Sequence, residues 1–339
     1  MKAVKGSRNY KKEFELGEQL PLRTPLVLMI DPSGYCNFNC KFCPNGMVNK
    51  EHWNKERKID ILPYELFCKI IDDAAGFGEK IKVLRLFRDG EPLLNKDLPK
   101  MIAYARQKGL FEKIDFTTNG SLFSKEVSEA VIAAGVDRIN ISVEGLSSED
   151  YLKVSGVKLS FEEFVENLRY LYSIKGDCEI YIQMGDLCIQ SAQDERRFYD
   201  IFGEVCDIIR LEKMAPFWPG ITEYKGAENF SSDVKAPDYR TGLEICPKMF
   251  YTLSVNSDGS VGVCSVDYQH EINLGNCRKE NIVDIWRTGE KLKAIQLNNL
   301  LEAEKMHHCC NVCGNRVYEQ KVNLEPYRDN IVEALRKGW

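Results

Sequence analysis

No stretch of this sequence near its N-terminus is apolar for long enough to cross a bilayer. The longest, "PLVLMI", falls far short of the roughly 20 residues a spanning helix needs. Nor does an apolar core follow the basic residues Lys2, Lys5, Arg8, Lys11 and Lys12, so no secretion signal is expected and a cytoplasmic location is. Positive charge is not in excess either: 46 basic against 51 acidic residues leave a net charge of −5, which gives nucleic acid no electrostatic hold. Internal repeats and low-complexity tracts are missing too, and with them any case for a solenoid.

Cysteine, by contrast, is plentiful. There are 13 in 339 residues, an odd number, and they sit in tight local groups. Without a secretion signal, that pattern argues against a disulfide framework and for metal binding or redox chemistry. The 44% apolar and 29% charged residues are those of an ordinary globular protein, with length for one large domain plus an appendage, or for two domains.

From Leu26 to about Met214, β-rich runs alternate with amphipathic segments. Strands are expected at 26–30, 81–87, 113–118, 138–144, 178–184 and 207–214. Between them, one helix opens at Pro63 and turns Leu66, Phe67, Ile70, Ile71 and Ala74 to one face. Another starts at Ser160 with Glu163 as a capping box, and a third runs from Ser124 to a stop at Gly135. Six β/α units imply parallel pairing and fit either a partial (β/α)6 barrel or an open doubly wound sheet. In both, ligands gather at the carboxyl ends of the strands. After about residue 215 the pattern changes. Residues 216–240 read as a linker or lid, with Trp218 and Tyr224 placed to line it. "YTLSVNSDGSVGVC" reads as a hairpin turning at Asp258-Gly259, a helix follows, and then comes "CCNVCG". A segment this small needs a metal staple to build a core.

"SGYCNFNCKFCPNG" places Cys36, Cys40 and Cys43 at C-x3-C-x2-C, just past the first strand. Three thiolates fall one short of a closed site. A zinc site completed from a distance is one reading; an iron–sulfur cluster with one open iron is the sharper one. The spacing, with Phe42 before the last cysteine, resembles the radical S-adenosylmethionine (SAM) superfamily. The resemblance implies a (β/α)6 partial barrel and a [4Fe–4S] cluster whose fourth iron is chelated by SAM. It also implies reductive cleavage to a 5′-deoxyadenosyl radical that abstracts a substrate hydrogen. Asp89-Gly90-Glu91 stands where that family has Gly-Gly-Glu, so Gly90 and Glu91 are expected beside the methionine ammonium, Gly90 because the backbone must come close to the ligand. "TTNG", with Asn119, and "SVEG", with Ser142 and Glu144, are expected to contact SAM from the next two strand ends. Ser155 occupies a position where the family usually shows an arginine, leaving Lys153 or Lys158 to meet the SAM carboxylate.

Cys246, Cys264, Cys310 and Cys313 supply four more thiols, and their surroundings resemble the short, twitch form of the SPASM extension. That implies one auxiliary [4Fe–4S] cluster fully ligated by protein, with Cys309 as an alternative to Cys310 and Cys277 as a possible intruder. Cys68 and Cys206 read as core residues. Cys188, just past the fifth strand, is a candidate hydrogen-atom donor. His52, His270, His307 and His308 fall on loops and are not needed as ligands.

The expected organisation is an N-terminal segment (1–24), a radical SAM partial barrel (25–215), a linker or lid (216–240), a small α+β auxiliary-cluster domain (241–325) and a tail helix (326–339). The expected activity is hydrogen abstraction from a carbohydrate-like or aminocyclitol small molecule, ending in oxidation or epimerisation, with flavodoxin or ferredoxin as electron donor. One rival is a peptide-modifying maturase, disfavoured because only about 24 residues precede the first strand. The other is a non-catalytic iron–sulfur or zinc redox sensor. Neither a membrane nor a nucleic-acid partner is expected.

Overall fold

The computed structural model describes residues 2–6, 15–47, 54–214, 217–221, 244–315 and 322–338. His52 and Tyr224 lie outside these residues, as does most of the expected linker. Among the described residues no helix is long and apolar enough to cross a membrane.

All six expected strand runs form strands: β2 (Val27–Ile30), β3 (Ile81–Arg85), β4 (Phe111–Thr118), β5 (Arg138–Val143), β6 (Glu179–Gly185) and β7 (Ile208–Glu212). They pair in parallel in sequence order, with registers such as Leu28 against Leu84 and Ile139 against Ile180. Burial on both faces explains their continuous apolar runs: Ile139, Ile141, Ile180, Ile182 and Leu84 are completely buried. The sheet does not close on itself, so the architecture is a partial barrel.

Two further pieces finish its edges. A two-residue strand, β1 (Val4–Lys5), pairs in parallel with β7. At the other edge β8 (Thr252–Val255) pairs in parallel with β2, and β9 (Ser260–Gly262) and β10 (Gly275–Asn276) continue antiparallel. The result is one ten-stranded sheet running through both cysteine-bearing regions. The strand in the first 24 residues was not expected, because two residues carry no period. The strands left at the two edges, β1 and β10, are two residues long, which leaves little exposed template for another chain.

The helices bury the stripes their sequences dictate. α1 (Tyr64–Ala74) buries Leu66, Phe67, Ile70, Ile71 and Ala74, with Pro63 one residue outside its start rather than inside it. α2 (Leu98–Lys108) and α3 (Lys125–Ala133) follow. Ser124 caps α3 by accepting the Val127 N–H at 3.2 Å, and Gly135 takes a φ of +84° just past its end. α4 (Ser148–Ser155), α5 (Phe161–Ile174) and α6 (Ala192–Phe202) share an aromatic core, with Tyr151 and Phe164 centroids 5.4 Å apart. The capping box expected at Ser160 is not made: Ser160 precedes α5, but its side chain makes no cap bond. The C-terminal segment adds α7 (Ile282–Arg287), α8 (Glu290–Leu301), the single-turn α9 (His308–Asn311) and α10 (Arg328–Lys337). Trp286 Nε1 donates to the Leu22 carbonyl (2.8 Å) and Arg287 Nη2 to that of Phe77 (2.7 Å), stitching α7 to the barrel's first layer.

The contrast between the two serines is measurable. Ser124→Ala lowers unfolding free energy by about 1 kcal/mol, whereas Ser160→Ala costs less than about half of that, both by chemical denaturation.

Candidate functional site

The loop after β2 is held from three sides before any ligand is considered. The N–H groups of Asn39 and Lys41 donate to the carbonyls of Ser155 (2.8 Å) and Val154 (3.0 Å) at the end of α4. The Glu91 N–H donates to the Tyr35 carbonyl (2.8 Å), and Asn45 Nδ2 to that of Asp89 (2.6 Å). A Cβ at Gly90 would sit 2.2 Å from both the Ser33 and Tyr35 carbonyl oxygens. Loop-on-loop packing by itself thus requires glycine at position 90.

That geometry also removes the expectation for Lys153 and Lys158. Ser155 is completely buried, its hydroxyl donating to the Tyr151 carbonyl at 2.7 Å, so its position is a packing one. Lys153 pairs with Glu149 along the exposed face of α4, and Lys158 is exposed as well.

Glu144, just past β5, lies close enough to act on Cys36, Cys40 and Cys43, and Glu91, in the loop after β3, close enough to act on Cys36. Burial pushes the Cys36 thiol up to about 11 and that of Cys43 to about 12, and raises Cys40 well above the usual thiol range. Burial likewise raises both carboxyls to about 7, although three donors soften the effect at Glu91. Those donors are Thr118 Oγ1 (2.6 Å), Leu93 N (3.1 Å) and Asn119 N (2.8 Å), so Glu91 also fixes the end of β4. Asn119 Nδ2 donates to Asn37 Oδ1 at 2.9 Å, tying that strand end to the cysteine loop. Ser142 Oγ accepts from Gln183 Nε2 at 3.0 Å. Burial raises every one of these five acids. The pocket is a concentration of latent negative charge that suits a cationic occupant.

Cys188 belongs to the same pocket. Its thiol is raised by burial and by Glu144, and it acts in turn on Cys40. Around the mouth, Trp218, Met214, Leu187, Phe42 and Met47 pack about Tyr268 and Ile221.

Asp89 stands where the resembled family has its first glycine, and nothing in the sequence analysis gave it a role. It anchors a buried charge network. Its Oδ2 lies 3.1 Å from Arg88 Nη1, 3.5 Å from Arg57 Nη2 and 2.5 Å from His270 Nε2. Burial alone would raise the Asp89 carboxyl, but Arg88, His270 and Arg57 together hold it far below its usual range. Arg88 goes on to bind Asn256 Oδ1 and the carbonyls of Asp267 (2.7 Å) and Cys264 (3.4 Å). Arg57, Arg88, Asn256 and His270 were missed as functional residues. The one local signal was two opposite charges directly before Gly90-Glu91.

The second cysteine group lines a cavity with Cys246, Cys264, Cys309, Cys310 and Cys313, walled by Val263, Val266 and Pro219. Burial pushes Cys246 and Cys313 up to about 12. The buried Asn315 amide is also in this wall, and among the described residues its Nδ2 has no partner. Cys277 does not intrude. It is fully buried elsewhere, its charged neighbours being Lys69, Asp73 and Glu280.

The spacing of the thiols bears on what they hold. Tetrahedral zinc with Zn–S of about 2.3 Å brings its sulfurs to about 3.8 Å from one another. Among the described residues, one trio of ligand-type side chains has donor atoms all within 4.8 Å, namely Glu271, His307 and Cys309. Neither expected cysteine set is drawn in that far, and cysteine thiolates are the ligands that iron–sulfur clusters take.

Residues 30–185 match the model of the radical SAM superfamily, and residues 246–314 that of an iron–sulfur cluster-binding domain, SPASM. A probable GTP 3′,8-cyclase of Methanosarcina mazei is 35% identical over 138 residues, 38% of this chain and 36% of the relative. An Fe-coproporphyrin III synthase of Methanosarcina barkeri is 33% identical over 62% of this chain and 48% of its own. The chain thus spans between a third and a half of these two relatives. An AdoMet-dependent heme synthase of Nitratidesulfovibrio vulgaris is 23% identical over 84% of this chain and 85% of the relative. Among solved structures, SuiB of Streptococcus suis bound to its precursor peptide SuiA gives a TM-score of 0.62 at 16% identity, covering 94% of this chain and 78% of that one. BtrN with AdoMet and 2-DOIA gives 0.51 at 13% identity, covering 85% and 91%. At these identities the structures speak to the fold.

Two outcomes follow from the electrostatics. In the metal-free chain without ligand, folded Glu144 keeps its proton up to about 7 while the unfolded chain loses it near 4.5. Stability therefore falls as pH rises through that window, and Glu144→Gln flattens the slope and gains on the order of 2–3 kcal/mol at pH 8. Asp89→Ala strips counter-charge from two buried guanidinium groups and costs about 3–5 kcal/mol by denaturant unfolding.

Proposed function

We propose, for a chain that belongs to the radical SAM superfamily and carries a SPASM iron–sulfur cluster-binding domain, that it takes a hydrogen atom from a carbohydrate-like small molecule and returns one to the same carbon, an epimerisation. Cys36, Cys40 and Cys43 would hold the [4Fe–4S] cluster and leave one iron for SAM. The cluster and SAM, when bound, supply the carbon radical that removes a substrate hydrogen. Glu91 and Glu144 then lend negative charge to the cationic cosubstrate, and Asn37, Asn119 and Thr118 keep the strand ends that frame it in place. Cys246, Cys264, Cys310 and Cys313 would hold the auxiliary cluster, with the Asn315 amide facing it.

The observation that carries the finer reading is the position of Cys188. The residue is half-buried, and its thiol is close enough to Cys40 and Glu144 to interact with both. Burial and that carboxylate keep it as S–H, the form that donates a hydrogen atom. The thiyl radical left behind regains the thiol by taking up one electron and one proton, the electron coming from a donor of flavodoxin or ferredoxin type.

A second reading is favoured by coverage. The heme synthase relative matches over 84% of this chain, which supports a step of heme synthesis.

The experiment is anaerobic turnover in D2O with SAM and dithionite against free sugars and cyclitols, precursor peptides and coproporphyrin. Epimerisation places one solvent deuterium at the inverted carbon. Cys188→Ala still forms 5′-deoxyadenosine and loses that deuterium, whereas Cys40→Ala abolishes 5′-deoxyadenosine to background. A product two mass units lighter, or turnover of peptide or porphyrin alone, rules the epimerase reading out.

A further inference from the structure

The Glu271, His307 and Cys309 trio lies outside both cysteine sets assigned above, yet it touches one of them. Cys309 is 3% exposed and its side chain lines the auxiliary cavity, while Glu271 and His307 reach it from the solvent side with side chains 28% and 40% exposed. His307 Nδ1 and Glu271 Oε2 are 3.4 Å apart. Tetrahedral zinc with nitrogen and oxygen donors at about 2.0–2.2 Å sets such a pair at about 3.3–3.6 Å. The thiol completes an N, O, S set of the kind that borderline-soft divalent ions choose, with a fourth position left for water.

The supports of the trio are fixed independently of any ion. Asp267, itself buried, accepts the N–H groups of Glu271 (3.1 Å) and Ile272 (2.8 Å). Arg88 holds the Asp267 carbonyl at 2.7 Å, so the Glu271 loop is tied to the barrel. On the other side, His307 precedes α9 and its Nδ1 accepts the Cys309 N–H at 3.4 Å, a long bond that metal coordination replaces at little cost. The buried Asp267 carboxylate adds negative charge close to Cys309.

We propose that Glu271, His307 and Cys309 form a mononuclear site for a divalent cation such as zinc, at the mouth of the auxiliary cavity. The ion clamps α9, which carries Cys310, to the 267–272 loop, and it holds Cys309 away from the auxiliary cluster. This rests on the reading that Cys246, Cys264, Cys310 and Cys313 ligate that cluster.

The test is equilibrium dialysis of the reconstituted, cluster-loaded protein against buffered zinc, followed by metal analysis. One zinc per chain is expected above the iron complement. His307→Ala and Glu271→Gln should each weaken zinc at least tenfold with iron content unchanged. Absence of zinc from the wild type, or equal zinc in both variants, overturns the site and leaves the auxiliary assignment standing. Cys309→Ser and Cys310→Ser separate the remaining case. If the first strips auxiliary iron and the second does not, Cys309 is the cluster ligand, and the auxiliary assignment and this site fall together.

Discussion

Five acids brought together in one pocket are the constraint on which the rest of this molecule depends. Cys36, Cys40, Cys43, Glu91 and Glu144 are each pushed by burial toward the protonated form. A fold that places them together gains nothing from doing so unless something positive enters. Iron and a sulfonium cosubstrate are such occupants, and ligation of the thiolates releases their protons as the metal binds. The surrounding hydrogen bonds fit this view. Glu91 spends its oxygens on the end of β4, and Asn37 and Asn119 lock the cysteine loop to that same end. These bonds are made without any occupant, and they hold the strand ends and the cysteine loop in register.

The second constraint is mechanical. Because β8 pairs with β2, the auxiliary-cluster region extends the barrel sheet rather than hanging from a tether. The Asp89, Arg88 and His270 network crosses the same seam, linking the loop beneath Cys43 to the carbonyl of Cys264. Residues 217–221 span it from above: Trp218 packs at the barrel mouth, Pro219 lines the auxiliary cavity, and Gly220 donates to the Val312 carbonyl at 3.3 Å. The two cysteine pockets are therefore parts of one packed structure.

What could be read from the chain alone was what is local. The six barrel strands declare themselves by runs of β-branched and aliphatic residues, and the first cysteine set lies within one loop. The hairpin turn at Asp258-Gly259 is likewise made by adjacent residues, with Asp258 accepting the Ser260 N–H. What stayed hidden depends on distant partners. Asp89 reads as a lost glycine until His270, 181 positions away, closes on it. Ser155 reads as a missing arginine until its carbonyl is seen to receive Asn39. That Gly90 is also packed against the carbonyls of Ser33 and Tyr35 has no trace in the local sequence. The Ser160 capping box is a sequence match that local backbone geometry does not use. The pairing of β1 with β7 involves too few residues to leave a periodic trace.

The most direct test of the five-acid pocket is Mössbauer spectroscopy of the protein reconstituted with 57Fe, with and without SAM. The account predicts two cubane signals, one of which shows a single iron site shifting its parameters when SAM is added, and loses its intensity in Cys36→Ala. Zinc in place of iron at those three thiolates, or a spectrum indifferent to SAM, would contradict it.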